Sequence, residues 1–577
     1  MAYVQELNTV QISNPDLSSQ NDTGKNSSFS AAEKKVESFD HVHSNQDIDL
    51  DARIPGSEER PLVFRSTTHE VLCIVLLTFA QATNSMNQGA LQLALPYISR
   101  SFSIQGSQLS WTVTSYSLVA ASFLLLMARL SDIIGRKWAL NLALLYYAVF
   151  ALLQGFMKSH IAFDVLRGLQ AIGGSVAAPS AMGMLGIIYQ PGQRKNHAVA
   201  GYAAGAPIGF VSGLVVSGIC SQFISWRSIL FFLAIVYGIL TVLVYFVVPS
   251  DEECTRIANH IAKISGETQL QTVNRDWKKI MKTLKKLDYV GVALSIVGLL
   301  LFVFAISDSG GAPQKWKTPY IIALLIIGFV TIVSFVLWET YGAKEPLMPM
   351  FIWKFPGFAL CMLLVFFGWM TFQGVLMYFS PMYFQNIRHY SIILTVAAIC
   401  PQVISALLVN VFAAFTMHLI PGRILMMTAM SAFTIASLLW ALQPLHASYW
   451  AFAFPALCIC VIGADLAANV IIQVALSAVP PNLKSTAAGI FNVVMQVGGS
   501  IGIAASTAIV TSRIGNDIEN QSAEILHEGY RSAYWFGLAV SSCGLIGSVF
   551  LKVGTQGGKK DVKLPPNDYQ PEDVEQA

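Results

Sequence analysis

Long runs without a single Lys, Arg, Asp or Glu dominate this chain. Residues 71–99, 101–128, 138–157, 168–193, 198–226 and 228–250 form a first set. After a charged interval come 289–307 and 318–338, then 355–387, 390–422, 424–464, 466–483, 485–512 and 532–551. A bilayer crossing takes about 20 mostly apolar residues. The run 424–464 is long enough for two crossings, broken at Gln443-Pro444-Leu445-His446, and 466–483 completes the second of them. About fourteen membrane-spanning helices are therefore expected. Only 12% of residues are charged, against roughly 25% in soluble domains, so most of the chain has to sit in lipid.

The placement of Lys and Arg gives the orientation. With the N-terminus in the cytoplasm, the inward loops hold Arg129, Arg136, Lys137, Arg194, Lys195, Arg423 and a cluster of eight Lys and Arg between residues 251 and 288. Outward loops hold fewer, so the bias runs positive-inside and both termini are cytoplasmic. The expected organisation is a disordered polar tail (1–68), a six-helix bundle (69–250), a basic cytoplasmic loop (251–288), two linker helices (289–340), a second six-helix bundle (341–551) and a cytoplasmic tail (552–577). The segment 277–286 reads as a basic amphipathic stretch able to lie on an anionic leaflet, or as a solvated linker helix. The eight cysteines lie mostly within apolar runs and read as small hydrophobes. Asn520, in Asn520-Gln521-Ser522 before the last span, falls in an outward loop and fits a glycosylation acceptor.

Charges inside the spans are the next constraint. Each costs at least ~2.5 kcal/mol by insertion scales and is functional by default. Asp164 and Arg167 lie three residues apart in the fourth span, on one helix face, so they can pair, with a purely structural pair as one reading. Asp465 is the other deep acid, in the twelfth span, and is a candidate proton carrier or cation contact unless Asn469, one turn on, satisfies it. In the first span Asn84, Asn87, Gln88 and Gln92 recur at helical spacing as a candidate polar stripe on a substrate cavity. Asn492 and Gln496 in the thirteenth span, and Trp369 among the aromatics of the ninth, are further cavity candidates, with interhelical packing as the competing role.

The loop between spans 2 and 3, Ala128-Arg129-Leu130-Ser131-Asp132-Ile133-Ile134-Gly135-Arg136-Lys137, resembles the signature of the major facilitator superfamily, except that Ala128 replaces its glycine. The resemblance implies an all-α fold of two six-helix bundles, helices 1–6 and 9–14, with two extra helices between them. It also implies a conformational latch at Arg129, Asp132, Gly135, Arg136 and Lys137. Arg167, Gln170 and Gly173 resemble a second family motif, whose arginine is linked to proton transfer. Gly201, Gly205, Pro207, Gly209 and Gly213 in the fifth span resemble the family's antiporter motif, found in exporters. The first span resembles that of drug exporters with 14 helices, but Asn87 stands where they carry an acid, and an amide cannot carry a proton. Met86-Asn87-Gln88-Gly89 and Phe366-Phe367-Gly368-Trp369 resemble fungal exporters of the aminotriazole-resistance type.

The resemblance implies proton-coupled export of a small hydrophobic toxicant, drug or secondary metabolite. Its partners are then substrate, protons and the bilayer, with no nucleic acid and no cofactor, and the family is usually monomeric. The competing readings are an importer or uniporter of a small nutrient and a transporter-like membrane sensor. A membrane enzyme is disfavoured because no nucleophile motif or metal cluster is legible. The plasma membrane is the default location and the vacuolar membrane the alternative.

Overall fold

A computed structural model of the chain describes residues 59–104, 106–189, 193–265, 288–312, 314–343, 346–355, 357–416, 419–478, 484–515 and 521–552. The basic stretch 277–286, the tail up to residue 58, the tail from residue 553 and Asn520 lie outside the described residues.

The first six helices are α1 (Thr67–Phe102), α2 (Ser107–Ile134), α3 (Arg136–Gly155), α4 (His160–Ile188), α5 (Gln193–Phe223) and α6 (Trp226–Val247). A shorter α7 (Asp251–Ser265) follows, then α8 (Tyr289–Asp308) and α9 (Pro319–Tyr341). The last six are α10 (Phe358–Ile387), α11 (Ile392–Thr416), α12 (Gly422–Leu442), α13 (Ala453–Ala478), α14 (Lys484–Ile514) and α15 (Ala523–Val549). Thirteen of these are long and apolar enough to cross a membrane. α1 is also of membrane length at 36 residues, but its amides keep it below the apolarity of the rest. With α1 the count is the fourteen expected. Helices suit this setting because lipid offers no partner for an unpaired backbone N–H or C=O.

α1 to α6 pack on one another as one bundle and α10 to α15 as the other. The same glycine device recurs in each. On α5, a Cβ at Gly209 would come within 2.7 Å of the Ala82 Cα on α1. On α14, a Cβ at Gly498 would come within 2.8 Å of the Phe366 carbonyl oxygen on α10. In both bundles, then, the fifth helix lays glycines against the backbone of the first, a close approach that only small residues allow.

α8 and α9 pair with each other, and α8 lies against α2 of the first bundle and α14 of the second. Trp111 of α2 packs against Phe304 of α8 with the rings tilted and their centroids 4.9 Å apart. The bundles meet along α2–α14, α5–α11 and α1–α10. Where a plain charged loop was expected after α6, the chain forms α7, and its first residue, Asp251, is buried.

Candidate functional site

The polar interior of the first bundle is built around Arg167, which is only 1% exposed. The ion pair with Asp164 that the spacing allows does not form. Arg167 instead donates Nε to the Thr112 carbonyl and Nη1 to Asn87 Oδ1 (3.2 Å). Its guanidinium lies 5.1 Å from the centre of the Tyr116 ring. Asp164 is reached through one intermediary, the Thr112 hydroxyl, which donates to Asp164 Oδ1 at 3.2 Å. Helical spacing put the two charges on one face, but α2 offers Arg167 a carbonyl acceptor that no linear pattern shows.

Beyond Arg167 an amide relay continues. Asn87 Nδ2 and Gln154 Nε2 both donate to Gln170 Oε1, each at 3.0 Å. Tyr116 donates to Asn84 Oδ1 (2.6 Å) and is hydrogen-bonded to the Tyr147 hydroxyl. Gln88 donates to the same Asn84 oxygen at 3.4 Å.

The α1 stripe therefore divides. Neighbouring residues on a helix differ by roughly 100° in direction, so Asn87 turns into its own bundle while Gln88 and Gln92 turn to the other. Gln373 of α10 donates to Gln88 Oε1 (3.3 Å), Gln92 donates to the Met377 carbonyl, and Gln385 donates to the Leu93 carbonyl (3.1 Å). α10 is not a uniform helix here. Residues Phe372–Leu376 and Tyr383–Ile387 take the wider π form, which recurs at functional sites.

In the second bundle, Asp465 is half-buried on α13. Asn469 spends its amide on the Asp465 main-chain carbonyl (2.9 Å) and on Asn410 Oδ1 (3.4 Å), so it does not satisfy the carboxylate. Asn410 lies beside the Asp465 carboxyl group and donates its Nδ2 to the Ala406 carbonyl of its own helix (3.0 Å). The second oxygen, Oδ2, is buried with no partner among the described residues. Trp369 is buried near Phe491, Gln496 is half-buried, and Asn492 is exposed and bonded to its own helix at the Ala488 carbonyl (2.9 Å).

At the α2–α3 turn, Gly135 has φ +103°, a backbone conformation that favours glycine. Asp132 and Arg136 form an ion pair at 2.8 Å, and Arg136 also donates to the Gly183 carbonyl on α4 (2.9 Å). Asp251 of α7 accepts from the Lys137 main-chain N–H at 2.9 Å. It thereby caps the start of α3, where Gly135 has no side chain to do so. On α5, Gly205, Gly209 and Gly213 all face α1, while Gly201 is looser, 3.6 Å from Ile74. Pro207 lies inside α5 without ending it.

Residues 77–503 match the Major Facilitator Superfamily. The chain belongs to that superfamily. It is 30% identical to the low affinity ammonium transporter of Saccharomyces cerevisiae, over 85% of this chain and 89% of the relative. It is 28% identical to Efflux pump terJ of Aspergillus terreus, over 89% and 94%. The aminotriazole resistance protein of S. cerevisiae is 25% identical over 84% of each. A crystal structure of a peptide transporter of the POT type shares the fold, with a TM-score of 0.53, 13% identity and coverage of 82% of this chain and 93% of that one. This facilitator is thus a multi-pass membrane transporter and not an enzyme.

In this facilitator, Thr112, Tyr116, Gln154 and Gln373 are parts of the polar chain that the sequence reading passed over. The available signal was weak: a Gln or Thr in an apolar run is often interhelical glue. Asn87 gives the chain its unusual character, because the buried guanidinium meets an amide where a carboxylate would neutralise it. Asn87→Asp is therefore expected to raise the thermal midpoint of the purified protein, on the order of a few degrees. Gln170 has to turn its amide to donate to the new carboxylate. Gln154 can follow, since its Oε1 has no partner among the described residues. A midpoint that stays level or falls would show that Asp164, acting through Thr112, already balances the charge.

Proposed function

We propose that this transporter exports a small, largely hydrophobic toxicant, drug or secondary metabolite in exchange for protons, by alternating access between the two bundles. The observation that carries the coupling is Asp465, an acid in a membrane-spanning helix with one carboxylate oxygen buried and unpaired among the described residues. Ionised, that oxygen lacks a donor; protonated, it becomes one. Proton binding therefore changes which packing of α13 is favoured, and an equilibrium moves only by such a difference in affinity between states. The glycine face of α5 against α1 and relatives named as an efflux pump and an aminotriazole resistance protein support the outward direction. Arg167 with its amide relay shapes the first bundle's side of the path, and Gln88, Gln92 and Gln373 lie where the bundles meet.

In this reading the α2–α3 turn faces the cytoplasm, as its Arg129, Arg136 and Lys137 require of a positive-inside topology. Both tails are cytoplasmic, the protein acts as a monomer in the plasma membrane, and residues 69–250 and 341–551 are the two moving units. A second reading has one specific support: a relative 30% identical is named a low affinity ammonium transporter. In that reading Asp465 contacts a small nitrogen cation.

Purified protein in liposomes tests both. Under an imposed pH gradient, loaded vesicles are assayed for movement of aminotriazole, of a lipophilic dye and of methylammonium. Gradient-dependent movement of the first two supports export, and movement of methylammonium alone transfers the assignment to the second reading. No movement of any probe in either gradient direction removes the proton-exchange proposal.

A further inference from the structure

Glu339, near the end of α9, is 4% exposed and has no part in the exchange proposed above. Its carboxylate accepts two successive main-chain N–H groups, Leu347 to Oε1 (3.2 Å) and Met348 to Oε2 (3.0 Å). On the preceding carbonyl, Arg129 Nη2 donates to Pro346 O at 2.9 Å. The Pro346 C=O and the Leu347 N–H belong to one peptide unit. That unit lies between a cation on its oxygen and an anion on its hydrogen, which is the favourable orientation of its dipole and makes both bonds charge-assisted.

The two anchors come from different parts of the molecule. Arg129 belongs to the end of α2 and to the signature turn, whereas Glu339 belongs to the α8–α9 hairpin. Within the hairpin, Glu339 packs closely against α8. A Cβ at Gly291 of α8 would sit 2.8 Å from Glu339 Oε1, so glycine is needed for the approach. Asp288 caps α8 through the Gly291 N–H (2.9 Å) and accepts from the Trp338 indole (2.9 Å). The strapped segment leads directly into the second bundle, and α8 itself lies across the α2–α14 seam between the bundles. Within that seam, Leu125 of α2 lies 2.9 Å from where a Cβ on Gly489 of α14 would be.

We propose that Arg129 and Glu339 act through the Pro346–Leu347 peptide as a releasable strap. The strap makes the α8–α9 hairpin a working part of the switch that keeps the α2–α14 seam closed. Glu339 is a positioning residue: it presents the Pro346 carbonyl to Arg129. The inference rests on the alternating-access reading, because only relative motion of the bundles gives the strap something to release.

The test uses Leu125→Cys as a reporter in the full chain, reconstituted in liposomes and labelled with a membrane-impermeant maleimide under opposite pH gradients. Arg129→Ala and Glu339→Gln are each expected to speed labelling roughly fivefold or more. The double variant should label no faster than either alone, because both changes break one relay. Arg129→Lys, which keeps the charge, should lie between. Ala151→Cys, fully buried within the first bundle, should stay unlabelled in all of them, which separates seam opening from general unfolding. Unchanged rates, multiplicative effects in the double variant, or equal labelling at residue 151 would overturn the strap. A parent reporter that labels at one rate under both gradients removes the alternating-access reading. A parent rate that varies while the variants follow it removes the strap alone.

Discussion

Gly209→Ala is expected to lower the thermal midpoint and abolish transport, while Gly201→Ala keeps transport and holds or raises the midpoint. The two substitutions are chemically identical and lie eight residues apart on α5, so any difference comes from the neighbour. At Gly209 a Cβ would sit 2.7 Å from the Ala82 Cα and 2.8 Å from its carbonyl carbon. Those atoms are backbone, so one helix has to move. Such overpacking costs about 1–3 kcal/mol, and the displaced helix is α1, which carries Asn84, Asn87, Gln88 and Gln92. The nearest atom to a Cβ at Gly201 is Ile74 Cγ2 at 3.6 Å, an ordinary contact. There the higher helix propensity of alanine, up to about 1 kcal/mol over glycine, is free to act. Melting curves and initial rates of the two variants decide the matter. Equal behaviour would show that the α1–α5 approach is not tight.

Asp465→Asn is expected to reduce gradient-driven transport to background while leaving exchange of substrate across the membrane without a gradient. The amide nearly matches the carboxylate in shape and keeps the Asn410 contact within reach, but it does not bind a proton in the working range. The parent rate should rise as the side opposite the α2–α3 turn is acidified, since proton entry from that side neutralises the carboxylate. The variant's rate should be flat across the same pH series. Full gradient-driven transport in Asp465→Asn would move the carrier elsewhere, with Asp164 and its Thr112 contact next in line.

Much of the architecture was readable from charge placement alone, because lipid penalises charges so heavily that their absence marks a span. The division of residues 424–464 at Gln443 came from the same reasoning. The site was less readable. Asp164 and Arg167 share a helix face, yet their partners are set by Thr112 on a different helix. Asn87 and Gln88 are adjacent in sequence and serve opposite bundles. Glu339 and Asp251 each bound an uncharged run, and a charge at the end of a hydrophobic stretch looks the same whether it meets water or a buried peptide.

The π segments of α10 carry a consequence for sequence phase. Gln373 and Gln385 are twelve residues apart, which in a regular α-helix leaves them about 120° out of alignment. Both nevertheless reach α1. The two π segments, each only partly between these residues, together absorb about one extra residue, and eleven effective residues bring the two amides to within about 20° of each other. Inserting a single further residue between them would thus act less as a lengthening than as a twist. The far end of α10 would swing its Gln385 away from Leu93, and the junction would lose its outermost tie without the loss of any side chain that makes it.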